Sequence, residues 1–274
     1  RCGNSFCDEN PAAFVEDVFA KCGYAATFVP KQELRKNAEM YLQTLISYID
    51  KGVPVIVWYE TLVGVFVGYE DYGKILLYIT GNNNQPDRIT LDNALEGRPH
   101  NDGWIFVGNR KEDRSLAKIY REAIFAIPRH MSIKTDTYCF GAEAFRAWAR
   151  DIENGKFDGM KVEEFDTWSY YTNYLCVLAT NGTASHEFLR RAMKFNPDMV
   201  FLEEVMRLYK KTADIWHNQN GEDLEAIGGG FNITLETLQN KEKRARIAAK
   251  IRECGDITDQ ILQVLNEGLQ TLKE

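Results

Sequence analysis

The chain has 274 residues, 45% hydrophobic and 12% aromatic, enough apolar material for two packed domains. A formal charge of −7 with 27% charged residues gives an acidic surface that repels phosphate backbones, so nucleic acid is not an expected partner. No run approaches the roughly 20 apolar residues of a membrane helix and no charged-then-apolar leader is read at the start, so a soluble, cytoplasmic chain without a membrane partner is expected.

Between Asn10 and Cys22 the apolar residues Phe14, Val15, Val18 and Phe19 share one helical face, with Pro11 suited to the first turn and Gly23 to the stop. A second helix is predicted over Gln32 to Lys51, its apolar side carrying Met40, Tyr41, Leu45, Ile46 and Ile49. Three compact apolar runs then read as strands: Val53 to Trp58, Leu62 to Val67 and Ile75 to Ile79. The Gly and Asp content of Gly68 to Gly73 suits a hairpin connection between the last two, and Gly103 to Gly108 supplies a later strand. Helical spacing resumes at Ser115 to Phe125 and dominates from Phe140 onward. Helices are expected over Ser185 to Phe195, Asp198 to Asn218, Lys241 to Glu253 and Asp256 to Leu272, with Pro197 in a first turn. The fold class is therefore α+β: residues 1–128 form a helix-plus-antiparallel-sheet domain, and residues 129–274 an all-α bundle.

The segment Gly52-Val-Pro-Val-Ile-Val-Trp58 followed by Leu62-Val-Gly-Val-Phe-Val-Gly-Tyr-Glu-Asp71 carries a resemblance to a known family. It resembles the central strands of bacterial papain-like proteins, in particular the bacteriocin-processing cysteine peptidases and the N-terminal domain of the butirosin-biosynthesis acyltransferase. The likeness extends over roughly Gly52 to Gly108. It implies a cysteine-proteinase fold and a setting in natural-product biosynthesis or export. It also implies a catalytic histidine at the first residue of the second strand, where this chain has Leu62. Leucine cannot move a proton, and a cysteine near its free pKa of about 8.5 is mostly protonated at neutral pH without a cationic neighbour. Asn82 stands where the family places the residue that orients the histidine, and Cys2-Gly3 is the nearest match to its nucleophile. None of the four histidines, His100, His130, His186 and His217, lies in the strand.

The remaining candidates are binding residues. The strand ends beside Leu62 offer Trp58, Tyr59 and Glu60, and Trp104 opens the later strand. Glu60 belongs either to a solvated turn or to a cleft between helices and sheet. Trp168 to Tyr174 packs four aromatics into two helical turns, with Tyr170 and Tyr174 on a face beside the expected core stripe. In the segment from Trp216 to Gly230, Glu222 and Asp223 precede three consecutive glycines. That segment is either a glycine-rich connection or a pocket in which aromatics and carboxylates hold a cationic or amine-bearing ligand. The run Lys241 to Arg246 reads as a solvated helix face. The six cysteines form no C-x-x-C pair and no zinc-finger spacing, so neither metal nor cofactor is expected; Cys139 and Cys176 read as buried thiols.

The leading expectation is a non-catalytic or repurposed papain-like module with a helical domain, binding a small molecule or peptide with an amine group. An active thiol acyltransferase or cysteine peptidase is the alternative. A third reading is an assembly module that forms a homodimer.

Overall fold

The computed structural model describes residues 10–59, 62–81, 85–96, 103–136, 138–165, 171–218 and 220–272. The chain forms two compact units that divide between Arg114 and Ser115. The boundary expected after residue 128 falls instead inside a continuous helix, Leu116–Met131. Among the described residues no helix is long and apolar enough to cross a membrane.

The first unit is α+β. Helix α1 (Pro11–Lys21) begins as the sequence suggests, with Pro11 in the first turn and Asn10 Oδ1 accepting the Ala13 N–H at 3.1 Å. Gly23 ends it at φ +86°, where a Cβ would also lie 2.3 Å from the Glu112 carbonyl oxygen. Strand β1 (Tyr24–Pro30) follows, then α2 (Lys31–Lys36) and α3 (Ala38–Asp50). These two helices replace the single one expected over Gln32 to Lys51. The chain leaves helical geometry at Asn37 (φ −127°, ψ 42°), whose side chain donates to Glu33 Oε1 at 2.6 Å.

Strands β2 (Val55–Tyr59), β3 (Leu62–Glu70) and β4 (Ile75–Thr80) are adjacent and antiparallel, as the three apolar runs predict. A short strand β5 (Asp87–Thr90), the small helix α4 (Leu91–Leu95) and strand β6 (Gly103–Arg110) complete the unit. Among the described residues the sheet has six strands in the order β1-β6-β2-β3-β4-β5. Alternation divides its residues between two faces. Val29, Val55, Val57, Phe66, Leu76, Trp104 and Phe106 pack with Leu34 of α2 and Leu42 and Leu45 of α3. Phe28 and Ile105 face the other way and pack with Val15 of α1. Leu34, Leu45, Val55 and Leu76 lose all contact with solvent, and each contributes on the order of 1.5–3 kcal/mol by burial.

The second unit is helical, with α5 (Leu116–Met131), α6 (Gly141–Glu153), α7 (Tyr171–Thr180), α8 (His186–Phe195), α9 (Leu202–Trp216), α10 (Leu235–Gln239) and α11 (Lys241–Thr271). A π-helical stretch, Asn181–Ser185, joins α7 to α8. Helix α9 starts at Leu202, not near Asp198; Pro197 and Asp198 belong to the preceding turns, and Asp198 pairs with Arg121 at 2.7 Å. The two helices expected from Lys241 and from Asp256 are one helix of 31 residues. Gly255 does not break it; it is buried in the middle of the helix and packs against α6, where a Cβ would make ordinary contacts at 3.4 Å with the Ala142 carbonyl oxygen and Phe145. Arg244 departs from the solvated face expected of Lys241 to Arg246: it is buried and pairs with Asp158. Cys254 is buried, its thiol pKa pushed up by burial, whereas Cys176 is exposed, one position away from the core stripe of Leu175 and Leu178.

Candidate ligand site

A cavity of about 430 Å³ opens on the α2/α3 face of the sheet, within the size range of small-molecule sites. Its origin is a missing side chain. Strand register sets Trp104, Val57, Gly64 and Thr80 in one row across β6, β2, β3 and β4. Gly64 leaves the middle of that row bare, and a Cβ placed there would lie 2.9 Å from the Ile79 carbonyl oxygen, so the strands fit closely only around glycine. The neighbouring row places Phe66 beside Tyr78. Val57, Phe66 and Ile89 give the cavity apolar walls, while Tyr78 and Thr80 add hydroxyls.

The far wall comes from helices. Lys31, at the start of α2, lines the cavity with no solvent exposure, and its ammonium donates to the carbonyl of Ala94, another lining residue. Arg35 Nε donates to the next carbonyl, that of Leu95, at 2.5 Å. Two cations thus meet the carbonyl end of α4, where its dipole is negative, and fix that short helix against α2. Asn93 and Glu96 reach the cavity from α4 and the residue after it, and both are exposed. The side chains of Tyr78, Thr80, Asn93 and Glu96 form no hydrogen bond with another described residue. Glu70, near the other end of β3, has such a partner: it pairs with Arg88 at 2.5 Å.

The expected site residues fall into three groups. Glu60, Tyr170, Trp168, Asn82 and Cys2-Gly3 lie outside the described residues, as do Cys7 and His100. Backbone register pairs Tyr59 with Leu62, so Trp58 and Leu62 stand at the β2–β3 turn, with Leu62 two residues from the cavity floor at Gly64. Trp104 is fully buried and is not a lining residue. Its ring packs edge-on to Phe66 at 5.5 Å, and its indole N–H has no acceptor among the described residues.

In the helical unit the expected aromatic and acidic residues that are described have separate partners. Tyr174 packs on Trp148 at 5.2 Å, and Trp216 packs edge-on to Phe231 at 4.9 Å. Asp223 is 2% exposed and is not waiting for a ligand: it accepts the Asn218 and Ala226 N–H groups, both at 2.7 Å. Burial pushes its pKa up, but those donors and the nearby His217 outweigh burial and hold the carboxyl below its ordinary value. Glu225 accepts the Phe231 N–H at 3.1 Å. The glycines serve the same folded loop. A Cβ at Gly229 would lie 2.8 Å from Ile247, and one at Gly230 would collide with the Glu225 carboxylate. Glu222 lines a depression of about 330 Å³ shared with Arg246, Lys250 and Glu253, so two acids there face two bases. The segment from Trp216 to Gly230 is thus a packed helix connection.

Sequence reasoning passed over Lys31, Tyr78, Thr80, Asn93 and Glu96. The one usable signal was Gly64, an isolated glycine inside an apolar strand run, which marks a bare patch of sheet or a close backbone approach. Among the described residues no cluster of three or more His, Cys, Asp or Glu side chains could hold a metal ion. Compared with known proteins, the chain matches no family model and no curated protein.

Proposed function

We propose that the sheet unit is a papain-like module that has lost or changed its chemistry and binds a small molecule or short peptide in the cavity above Gly64. The observation that carries this reading is the position of that cavity. It adjoins the β2–β3 turn, the place where the resembled families keep their catalytic histidine and where this chain has Leu62. A proton-transfer site that has become apolar, beside a cavity with hydroxyl, amide and carboxylate groups at its walls, suits holding a molecule more than cleaving one. His130, His186 and His217 belong to the helical unit.

A thermal-shift screen of amines, amino acids, short peptides and aminoglycosides tests the reading, with wild type and Thr80→Leu in parallel. Leucine at position 80 fills the cavity without disturbing the strand pattern. A compound that raises the melting temperature of wild type and not of Thr80→Leu is the expected result. Compounds that act equally on both proteins bind elsewhere and refute the assignment.

A further inference from the structure

Two of the side chains around the cavity carry charge, and neither is free to meet a charged group inside it. Lys31 is buried with its ammonium donating to the Ala94 carbonyl, and it has a further partner besides. Glu96 is exposed, where water and salt weaken its pull. A ligand ammonium or carboxylate would thus trade its hydration for the apolar surface of Val57, Phe66 and Ile89, an unfavourable exchange. What the lining does offer is hydrogen bonding. The side chains of Tyr78, Thr80, Asn93 and Glu96 have no partner among the described residues. The hydroxyls of Tyr78 and Thr80 and the amide of Asn93 both donate and accept, while Glu96 only accepts. Tyr78 and Thr80 are alternate residues of β4, on one face of the sheet with Cα atoms roughly 7 Å apart, so they meet a ligand at two points.

Resting on the binding reading above, we infer that the cavity takes an uncharged amide with apolar side chains, the chemistry of a peptide's interior rather than of its ends. A secondary amide carries one donor and one acceptor without charge, matching the mixture of polar groups on the lining. Its apolar side chains cover Val57, Phe66 and Ile89. A free amine or free amino acid brings charges that the lining leaves unpaired, and a hydrocarbon leaves the hydroxyls unpaired instead. A volume of about 430 Å³ accommodates a blocked amino acid or dipeptide.

Isothermal titration calorimetry of the full chain tests this with leucine, phenylalanine and dileucine, each as the free zwitterion, the N-acetyl amide and the N-acetyl methyl ester. The proteins are wild type, Tyr78→Phe, Thr80→Val and Thr80→Leu. The N-acetyl amides should bind wild type, and the zwitterions at least about tenfold more weakly, since they must desolvate charge. The methyl esters lack the N–H donor of the terminal amide and should lose roughly fivefold, the effect of one neutral hydrogen bond. Tyr78→Phe and Thr80→Val should each weaken the amides by a similar factor. Valine keeps the size of threonine, so its effect reports the hydroxyl, whereas Thr80→Leu should abolish binding by filling the cavity. Two results overturn the uncharged-amide assignment while Thr80→Leu still abolishes binding and the cavity stands as a ligand site. One is zwitterions that bind wild type as tightly as the amides, and the other is amides that bind both hydroxyl variants as tightly as wild type. If no compound binds wild type, or binding survives in Thr80→Leu, the cavity reading itself fails.

Discussion

In the sheet unit, Tyr78, Thr80, Asn93 and Glu96 turn polar groups toward a cavity; in the helical unit, Asp223 and Glu225 turn theirs toward backbone N–H groups of their own loop. Both regions combine aromatic residues, acids and glycine, and by composition alone they look alike. They differ in what the glycines make room for. Gly64 leaves a row of side chains incomplete above a sheet, whereas Gly229 and Gly230 let a loop close on Ile247 and Glu225. A polar side chain whose partners belong to its own loop stabilises the fold, and one that meets none is available to a ligand.

This contrast is open to direct attack, beginning with the loop. Asp223→Ala should cost about 3 kcal/mol in chemical denaturation, because two backbone N–H groups lose a buried, charged acceptor. A loss below about 0.5 kcal/mol would mean that the loop does not depend on this carboxylate. Gly64→Ala comes next, at roughly 1–3 kcal/mol, since its new methyl group presses on a neighbouring strand backbone that has little freedom to move. A neutral effect would show that the glycine is not required by the sheet. Smaller still are Tyr78→Phe and Glu96→Gln, each expected within about 0.5 kcal/mol of wild type, as befits side chains with no hydrogen-bond partner among the described residues. A larger loss would place them among the structural residues and erase the contrast.

Acid adds a further distinction. Asp223 has a folded-state pKa below its ordinary value of 3.8, so its contribution is present above the unfolded-state value and disappears as pH falls through the lower folded one. The stability gap between wild type and Asp223→Asn should therefore be flat near neutrality and shrink below about pH 4. A gap that instead opens on acidification would reverse the assigned sign.

The sheet was legible where apolar runs are compact: β2, β3 and β4 emerge directly from Val53 to Ile79. The flanking strands were not. In β1, Tyr24-Ala-Ala-Thr-Phe-Val-Pro30 is short of β-branched residues, and β5 carries Asp87 and Arg88, charges that keep an edge strand from pairing further. Gly255 and Asn37 show that local propensity misleads in both directions. The glycine lies buried inside a continuous helix that packs against α6, and the asparagine breaks one because its side chain bonds locally. The cavity was harder to read than any element. Residues 31, 64, 80 and 96 are far apart in sequence, and only strand register together with the Lys31 contact to Ala94 brings them to one space. In the helical unit Glu222 and Asp223 were visible as unusual acids, but the bonds that settle the role of Asp223 come from backbone groups, which carry no sequence signature.

The central claim, that the sheet unit binds without performing thiol chemistry, is tested most directly by turnover of peptide and thioester substrates with wild type and with Cys2→Ala and Cys7→Ala. Leu62 at the histidine position predicts that wild type hydrolyses neither substrate above the uncatalysed rate, and that both variants behave identically to it. Robust wild-type turnover that disappears in either cysteine variant would contradict the account.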